Sequence, residues 1–310
     1  MKFKNELEIA PIVLFVFARP DHTRRTLDSL AANFLAEKSD LYIYSDAARN
    51  DKDLERVNKV RLMVNSLTGF KSITVIERET NHGLARNIIE GVTAVCARYG
   101  KAIILEDDIV TSPYFLDFMN QSLNLYFNDK NVYSISGCTY PAQLSNIRDE
   151  TFFMRIPLCW GWATWLDRWE KFEKDLSGVS ILPKSLVDYI NFDGSCNYFN
   201  QAKLNLDGKL NTWFIFWYIT LAKNKALTLF PKNSLVENVG HDGTGENCGN
   251  SAHFYQSVSM RPVFVKKIEI LESEIAVEQH RIFFNSLKIS FVKKVYGKLN
   301  KIFGYLNGPD

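Results

Sequence analysis

The chain has 310 residues, 46% apolar and 23% charged, the make-up of an ordinary globular protein with core enough for one large or two modest domains. Thirty-seven Lys and Arg stand against 35 Asp and Glu, so no global charge points to nucleic acid. No apolar run reaches membrane-spanning length, "MKFKNELEIAP" lacks the apolar core of a secretory signal, and Cys96, Cys138, Cys159, Cys196 and Cys248 show no CxxC spacing; the expectation is a soluble, cytoplasmic protein with reduced thiols and no disulfide framework or zinc site.

In chain order, "PIVLFVF" (11–17) is a continuous apolar run, which predicts a strand covered on both faces. Pro20 opens a helix that carries Leu27 and Leu30 inward. "LYIYS" (41–45) predicts a second strand ending at Asp46, and Leu54, Val57, Val60, Met63, Val64 and Leu67 mark one helix face. "SITVIE" (72–77) predicts a third strand, and Leu84 to Tyr99 a third helix with Gly100 as its stop. The fourth strand is "KAIILEDDIV" (101–110). Such alternation predicts right-handed βαβ units and a mostly parallel sheet.

Beyond residue 110, Ser112 and Pro113 are read as the start of a helix running to about Phe127. "VYSISG" (132–137) and "TFFMRI" (151–156) predict strands, Trp213–Lys223 a helix and "ALTLF" a short strand. Trp162, Trp165 and Trp169 are spaced three and four apart, which predicts one helix face turned into the core; Trp160 is the better placed to stack on a sugar ring. "NVGHDGTGENCGN" (238–250) is a Gly-rich loop suited to closing over a ligand. One domain over 1–261 is expected, with a C-terminal helical extension over 262–310. Phe284, Leu287, Phe291, Val295, Leu299 and Ile302 fall at helical spacing there beside several lysines, a pattern that suits either an anionic membrane surface or docking on the domain.

Ligands of parallel sheets bind at the carboxyl ends of the strands. Arg19 follows the first strand, Asp46 the second, and Glu106, Asp107 and Asp108 the fourth. Three adjacent carboxylates are unfavourable unless a positive charge sits among them. Mg²⁺ and Mn²⁺ prefer oxygen ligands and are commonly shared between carboxylates and substrate phosphates, so the triplet suggests a metal–diphosphate site. In an extended chain Glu106 and Asp108 would share one side and Asp107 the other. Capping of the next helix is the competing role, already filled by Ser112 and Pro113.

The stretches "VLFVFARPDHTRRTLDSL" (13–30), "YSDAARN" (44–50), "ETNHGLARNIIEGV" (79–92) and "LEDD" (105–108) together resemble the GT-A-fold, nucleotide-sugar-dependent glycosyltransferases of the broad family 2-like group, over about residues 11–250. "EDD" also resembles the acid motif of the N-acetylglucosaminyltransferases that act on N-glycans. The resemblance implies an α/β, Rossmann-like, mostly parallel sheet flanked by helices. It implies that Phe17, Arg19 and Asp46 line the base and ribose pocket, and that Asn81, Gly83 and Arg86 lie beside the donor, Arg86 as a phosphate partner. Asp108 would hold Mn²⁺ or Mg²⁺, with Glu106 and Asp107 contacting ribose, sugar or metal-bound water and His241 as a further metal ligand. The chain departs from the pattern at "TWFIFW" (212–217), where many relatives carry an acidic pair that supplies the base. Asp242 in the Gly-rich loop, which also holds Glu246, is the candidate base instead.

A haloacid-dehalogenase-like phosphatase would need an aspartate where Glu106 stands, and a nucleotidyltransferase would carry glycine after the first strand, absent from "FARPDHTRR". The sequence therefore favours a metal-dependent glycosyltransferase, with a UDP-sugar as the favoured donor and a glycan or lipid-linked acceptor. Its expected setting is bacterial surface polysaccharide synthesis, in the cytoplasm or at the inner face of the membrane. The alternative is a catalytically degenerate relative that binds a glycan or a protein partner.

Overall fold

The computed structural model describes residues 8–243 and 252–288. Its first part alternates strand and helix as the pattern requires: β1 (Ile12–Val16), α1 (Pro20–Ala31), β2 (Asp40–Ser45), α2 (Asp51–Asn65), β3 (Ser72–Glu77), α3 (Leu84–Tyr99) and β4 (Lys101–Glu106). The continuous apolar run of β1 serves two cores at once. Ile12, Leu14 and Val16 pack with Leu27 and Leu30 of α1 and Val60 and Val64 of α2, whereas Val13 and Phe15 pack with Ile88 and Val92 of α3. Helices thus cover both faces, as a strand without polar alternation demands. On α2 the buried stripe is Asp53, Val57, Val60 and Val64, and Leu54 is exposed. The expected stripe is displaced because Arg49 and Arg56 satisfy the Asp53 carboxylate at a buried position.

The rest comprises β5 (Ile109–Thr111), α4 (Phe115–Leu125), β6 (Val132–Ser136), β7 (Thr151–Met154), β8 (Trp162–Trp165), α5 (Leu166–Trp169), α6 (Lys184–Ile190), α7 (Phe199–Leu206), α8 (Phe214–Lys223), β9 (Leu227–Pro231) and β10 (Val236–Asn238). Eight strands form one sheet in the order β3-β2-β1-β4-β8-β6-β9-β7. Only β8 and β7 run against the others, so the expectation of a mostly parallel, helix-flanked α/β sheet holds. β10 pairs antiparallel with β5 as a separate ribbon.

Two local expectations are corrected. Trp162 and Trp165 lie on a strand, not on a helix with Trp169, and they face opposite cores. Strand β8 forms because it is the piece that joins β4 to β6, a long-range pairing that overrides the helical spacing. Helix α4 begins at Phe115, with no side-chain cap; Ser112 instead closes a preceding turn, its Oγ accepting from Tyr114 N at 3.2 Å. Buried Arg168 then ties the new strand to α4, donating to the carbonyls of Tyr126, Phe127 and Asp129 beyond the helix end, where exposed carbonyls favour a cation.

The described part of the C-terminal extension lies on the domain. Arg155 on the domain side grips Glu272 through Nε and Nη2, and Tyr126 Oη donates to Lys266 O. Residues 274–288 are helical; Ala276, His280 and Phe284, spaced by four, are buried against Tyr140, Phe152 and Phe192. Phe284 of the proposed membrane stripe is therefore core, while Phe291, Val295, Leu299 and Ile302 lie outside the described residues. Among the described residues no helix is long and apolar enough to cross a membrane.

His280 supplies a pH dependence. Its ring is fully buried, Nδ1 lies 2.7 Å from Ala276 O, and burial pushes its pKa down to about 4. The native state keeps it neutral while the unfolded chain takes up a proton near pH 6.5. Its contribution is complete above about pH 6.5 and is lost as pH falls toward 4. Urea unfolding is expected to show the protein about 2 kcal/mol less stable at pH 5 than at pH 7.5 from this group. The difference should shrink by that amount in His280→Phe; an unchanged difference would assign the pH dependence to other groups.

Candidate functional site

One pocket spans the carboxyl ends of four neighbouring strands. Phe17, Ala18 and Arg19 follow β1; Asp46 and Arg49 follow β2; Asn81, Gly83, Leu84 and Asn87 follow β3; Glu106, Asp107 and Asp108 end β4. The chain turns at Asp107 and Asp108 instead of continuing extended, so the expected alternation of faces does not apply and all three acids line the pocket.

The positive charge within the triplet is Arg19. Its Nη2 and Nε donate to the two oxygens of Asp107, and Nη1 lies 3.0 Å from Asp108 Oδ2 as an ion pair. Burial pulls the guanidinium pKa down, but Asp107 and Asp108 more than offset it, and the net direction is up. The Asp107 carboxyl is raised by burial, against the pull of Arg19. Thr26 of α1 donates to Asp107 O at 2.9 Å, fixing the turn to the helix that follows β1. Glu106 is enclosed by its neighbours although part of its surface opens onto the pocket. Burial, then Asp108 and Asp107, push its pKa up to about 8, and no described residue donates a hydrogen bond to its side chain.

Asp46 lines the pocket but is saturated by the protein. Oδ1 accepts from Ala47 N and His82 N, each at 2.9 Å; Oδ2 accepts from Gly83 N at 2.9 Å and Asn81 Nδ2 at 3.0 Å. The carboxylate thus clamps the turn that leads into α3, where Gly83 adopts φ +73°, a conformation side chains disfavour. Arg86, expected beside the donor, is largely exposed, pairs with Glu90 one helical turn on at 2.6 Å, and is not among the pocket residues.

Arg49 and Arg56 line the pocket and were not singled out by the sequence reading. Both bind buried Asp53, Arg49 Nε at 2.8 Å and Arg56 Nη2 at 2.7 Å. The hydrogen bond from Arg49 leads in holding the Asp53 carboxyl below its usual range, against its burial. The Arg49 guanidinium stacks over the Phe17 ring at 4.9 Å. The signal was present as R-x-x-x-D-x-x-R, which places three charges together at the start of a helix.

The ribbon of β5 and β10 brings the Gly-rich loop to the acids. Val239 N donates to Asp108 O at 2.9 Å, and a Cβ on Gly240 would lie 2.2 Å from Asp108 Oδ2, so only glycine permits this approach. Asp242 meets His22 of α1 at 3.1 Å, a partner the sequence reading missed. His241 is set between Trp160, edge-on at 5.1 Å, and Phe254, stacked at 5.3 Å. Tyr140 and Phe254 also meet Trp160 edge-on, which makes it part of an aromatic cluster. Among the described residues no three His, Cys, Asp or Glu side chains form a metal-holding group, so His241 is not joined to the carboxylates in one. Glu246 lies outside the described residues.

No family model and no curated protein sequence matches the chain. Among solved structures it is similar to the mannosyltransferase PcManGT from Pyrobaculum calidifontis in complex with GDP-Man and Mn²⁺, at 14% identity and a TM-score of 0.38, covering 71% of this chain and 73% of that one. It is also similar to residues 1–349 of S. aureus TarS in complex with UDP-GlcNAc, at 8% identity and a TM-score of 0.40, covering 74% of this chain and 57% of that one. These values are too low to transfer a function, which the geometry of the site has to carry.

Proposed function

We propose that the chain is a nucleotide-sugar-dependent glycosyltransferase of the GT-A type. One observation carries the reading: a single pocket crosses four strand ends, with clustered carboxylates at the β4 end and an aromatic wall with guanidinium donors at the β2 end. A nucleoside diphosphate sugar needs those two halves, one for the charged diphosphate and one for the flat base.

A divalent cation, implied by the sequence resemblance, suits the donor set. Arg19 pairs with Asp107 and Asp108, and Glu106 has no salt-bridge partner among the described residues; burial first, then Asp108 and Asp107, raise its pKa. Asp108, with Glu106 beside it, would hold Mn²⁺ or Mg²⁺, the other ligands coming from diphosphate oxygens and water. When bound, such an ion supplies countercharge to the departing diphosphate. The chain's own residues do the rest. Phe17 and Arg49 wall the base, Asp46 holds the 81–83 turn against the donor, and the Val239–Gly240 backbone fixes Asp108. Asp242, held by His22, is assigned as the base that takes the acceptor hydroxyl proton onto a carboxylate oxygen. The 212–217 stretch supplies no acid, since Trp213, Ile215, Phe216 and Trp217 are core. A glycan or lipid-linked acceptor and a cytoplasmic role in surface polysaccharide synthesis complete the proposal, with the C-terminal helix as the proposed peripheral membrane contact.

The test is calorimetric titration of UDP, GDP and CMP, with and without Mn²⁺, into the wild type and Asp108→Ala. One diphosphate is expected to bind in an Mn²⁺-dependent manner and to lose about a hundredfold or more in the variant. No binding by any nucleotide to a folded protein would remove the transferase reading and leave a glycan- or partner-binding module.

A further inference from the structure

The segment that carries Asp242 is one whose backbone is costly to order. Gly240 and Gly243 flank His241 and Asp242, and Gly243 sits at φ +87°; glycine loses more freedom on folding than any other residue. Up to Gly240 the chain is tied down, by Val239 N to Asp108 O and by Gly240 N to Asn238 Oδ1 at 2.8 Å. Beyond it, the Asp242 side chain that pairs with His22 is 45% exposed, and ion pairs open to water hold weakly.

Ring packing on His241 leads from this segment to the C-terminal helix. Phe254, stacked on His241, meets Phe283 of the 274–288 helix edge-on at 6.0 Å and Tyr140 at 5.8 Å. Tyr140 is buried; Phe283 stacks on it at 5.8 Å, 26° from parallel, and Phe284 meets it edge-on at 5.0 Å. Its hydroxyl lies 2.8 Å from Tyr198 Oη, which fixes the ring in place. Tyr140 also touches Trp160, the second ring on His241. Two routes therefore join the helix to His241, one through Phe254 and one through Tyr140 and Trp160. The chain at either end of the helix is clamped to the domain, by Arg155 on Glu272 and by Lys288 on Gly194 O. Close-packed rings of this kind pass a displacement on instead of absorbing it.

Resting on the glycosyltransferase reading, we infer that Phe254 and Phe283 are positioning residues of the reaction: through His241 they hold Asp242 in place, so the C-terminal helix is a working part of the site. Neither ring lines the donor pocket, so donor affinity does not depend on them. The proton-accepting carboxylate does, and a displacement of about 1 Å in a catalytic group can cost about a hundredfold in rate. The signature is a fall in kcat with donor binding kept. Leucine at 283 restores most of the volume and so recovers part of the rate.

The experiment is hydrogen exchange read by mass spectrometry on the full chain, in wild type, Phe254→Ala, Phe283→Ala and Phe283→Leu. Leu123→Ala, a fully buried change on α4, reports the effect of lost stability alone. The hydrogen-bonded amides of Val239 and Gly240 are expected to exchange at least about tenfold faster in both alanine variants, with residues 101–106 unchanged. Hydrolysis of UDP-GlcNAc and GDP-mannose with Mn²⁺ is followed beside it. In the alanine variants kcat falls about tenfold to a hundredfold while KM and nucleotide affinity stay within about twofold of wild type, and Phe283→Leu lies between. Unchanged exchange at 239–240, or faster exchange spread over the whole chain as in Leu123→Ala, overturns the inference and leaves the glycosyltransferase reading intact. Faster exchange with an unchanged kcat overturns it too. A wild type that neither binds nor hydrolyses either nucleotide sugar fails the glycosyltransferase reading, and the exchange result then decides by itself whether the helix orders the segment.

Discussion

Arg19→Ala is expected to destabilise the protein by about 3–5 kcal/mol, because it leaves two buried carboxylates without their cation. Asp107 and Asp108 have side chains only 5% and 8% exposed, and Arg19 is itself 20% exposed, so water offers little replacement. The loss should appear as a lower urea midpoint with an unchanged slope. It is a property of the mismatch more than of the bond, so Arg19→Ala combined with Asp107→Asn should recover about half of it. A fall of less than about 1 kcal/mol in the single variant would mean that the triplet is better hydrated than its burial states.

Asp46→Ala is expected to weaken nucleotide binding about a hundredfold, although the residue's carboxylate has no hydrogen-bonding capacity left pointing at a ligand. Four donors converge on it, and without it the 81–83 turn must be ordered when the ligand arrives. Fixing a residue's backbone costs about 1–2 kcal/mol, so re-ordering two residues accounts for the predicted factor. Asp46→Asn separates this role from direct contact. An amide nitrogen in place of Oδ2 would face the Gly83 N–H and the Asn81 amide donor, and in place of Oδ1 the N–H groups of Ala47 and His82. The asparagine variant should therefore lose nearly as much affinity as alanine. Retention of most of the affinity in Asp46→Asn would show that the carboxylate's clamp on the turn is not what matters.

How much of this was readable in advance follows from where each feature gets its energy. β1 and α1 were plain because burial on two faces writes a continuous apolar run, and burial on one face writes Leu27 and Leu30. α3 announced its end through Gly100, which adopts φ +77°. β8 was misread since its tryptophans are spaced like a helix, and the pairing that makes it a strand comes from β4 and β6, far away in sequence. The β5–β10 ribbon was missed for a different reason: three residues per strand leave no period to detect. The pocket's membership was mostly legible, because the carboxyl end of a parallel strand is a position fixed by topology. Direction was not. Arg86 sits within a pocket-lining segment, yet Glu90 four residues on draws it outward, while Arg49 and Arg56 turn toward buried Asp53.

The sheet's two outer strands finish differently. β3 leaves Ser72, Thr74 and Glu77 exposed, an unattractive template for another strand. β7 is entirely buried, and its sequence "TFFM" would be the opposite. Its free side is taken by the C-terminal segment, through the parallel bridge of Phe153 to Glu272 and the bond from Ser273 N to Phe153 O. Residues near 272 thus act as a guard strand: the chain's own tail occupies the seam along which one copy would otherwise zip onto the next.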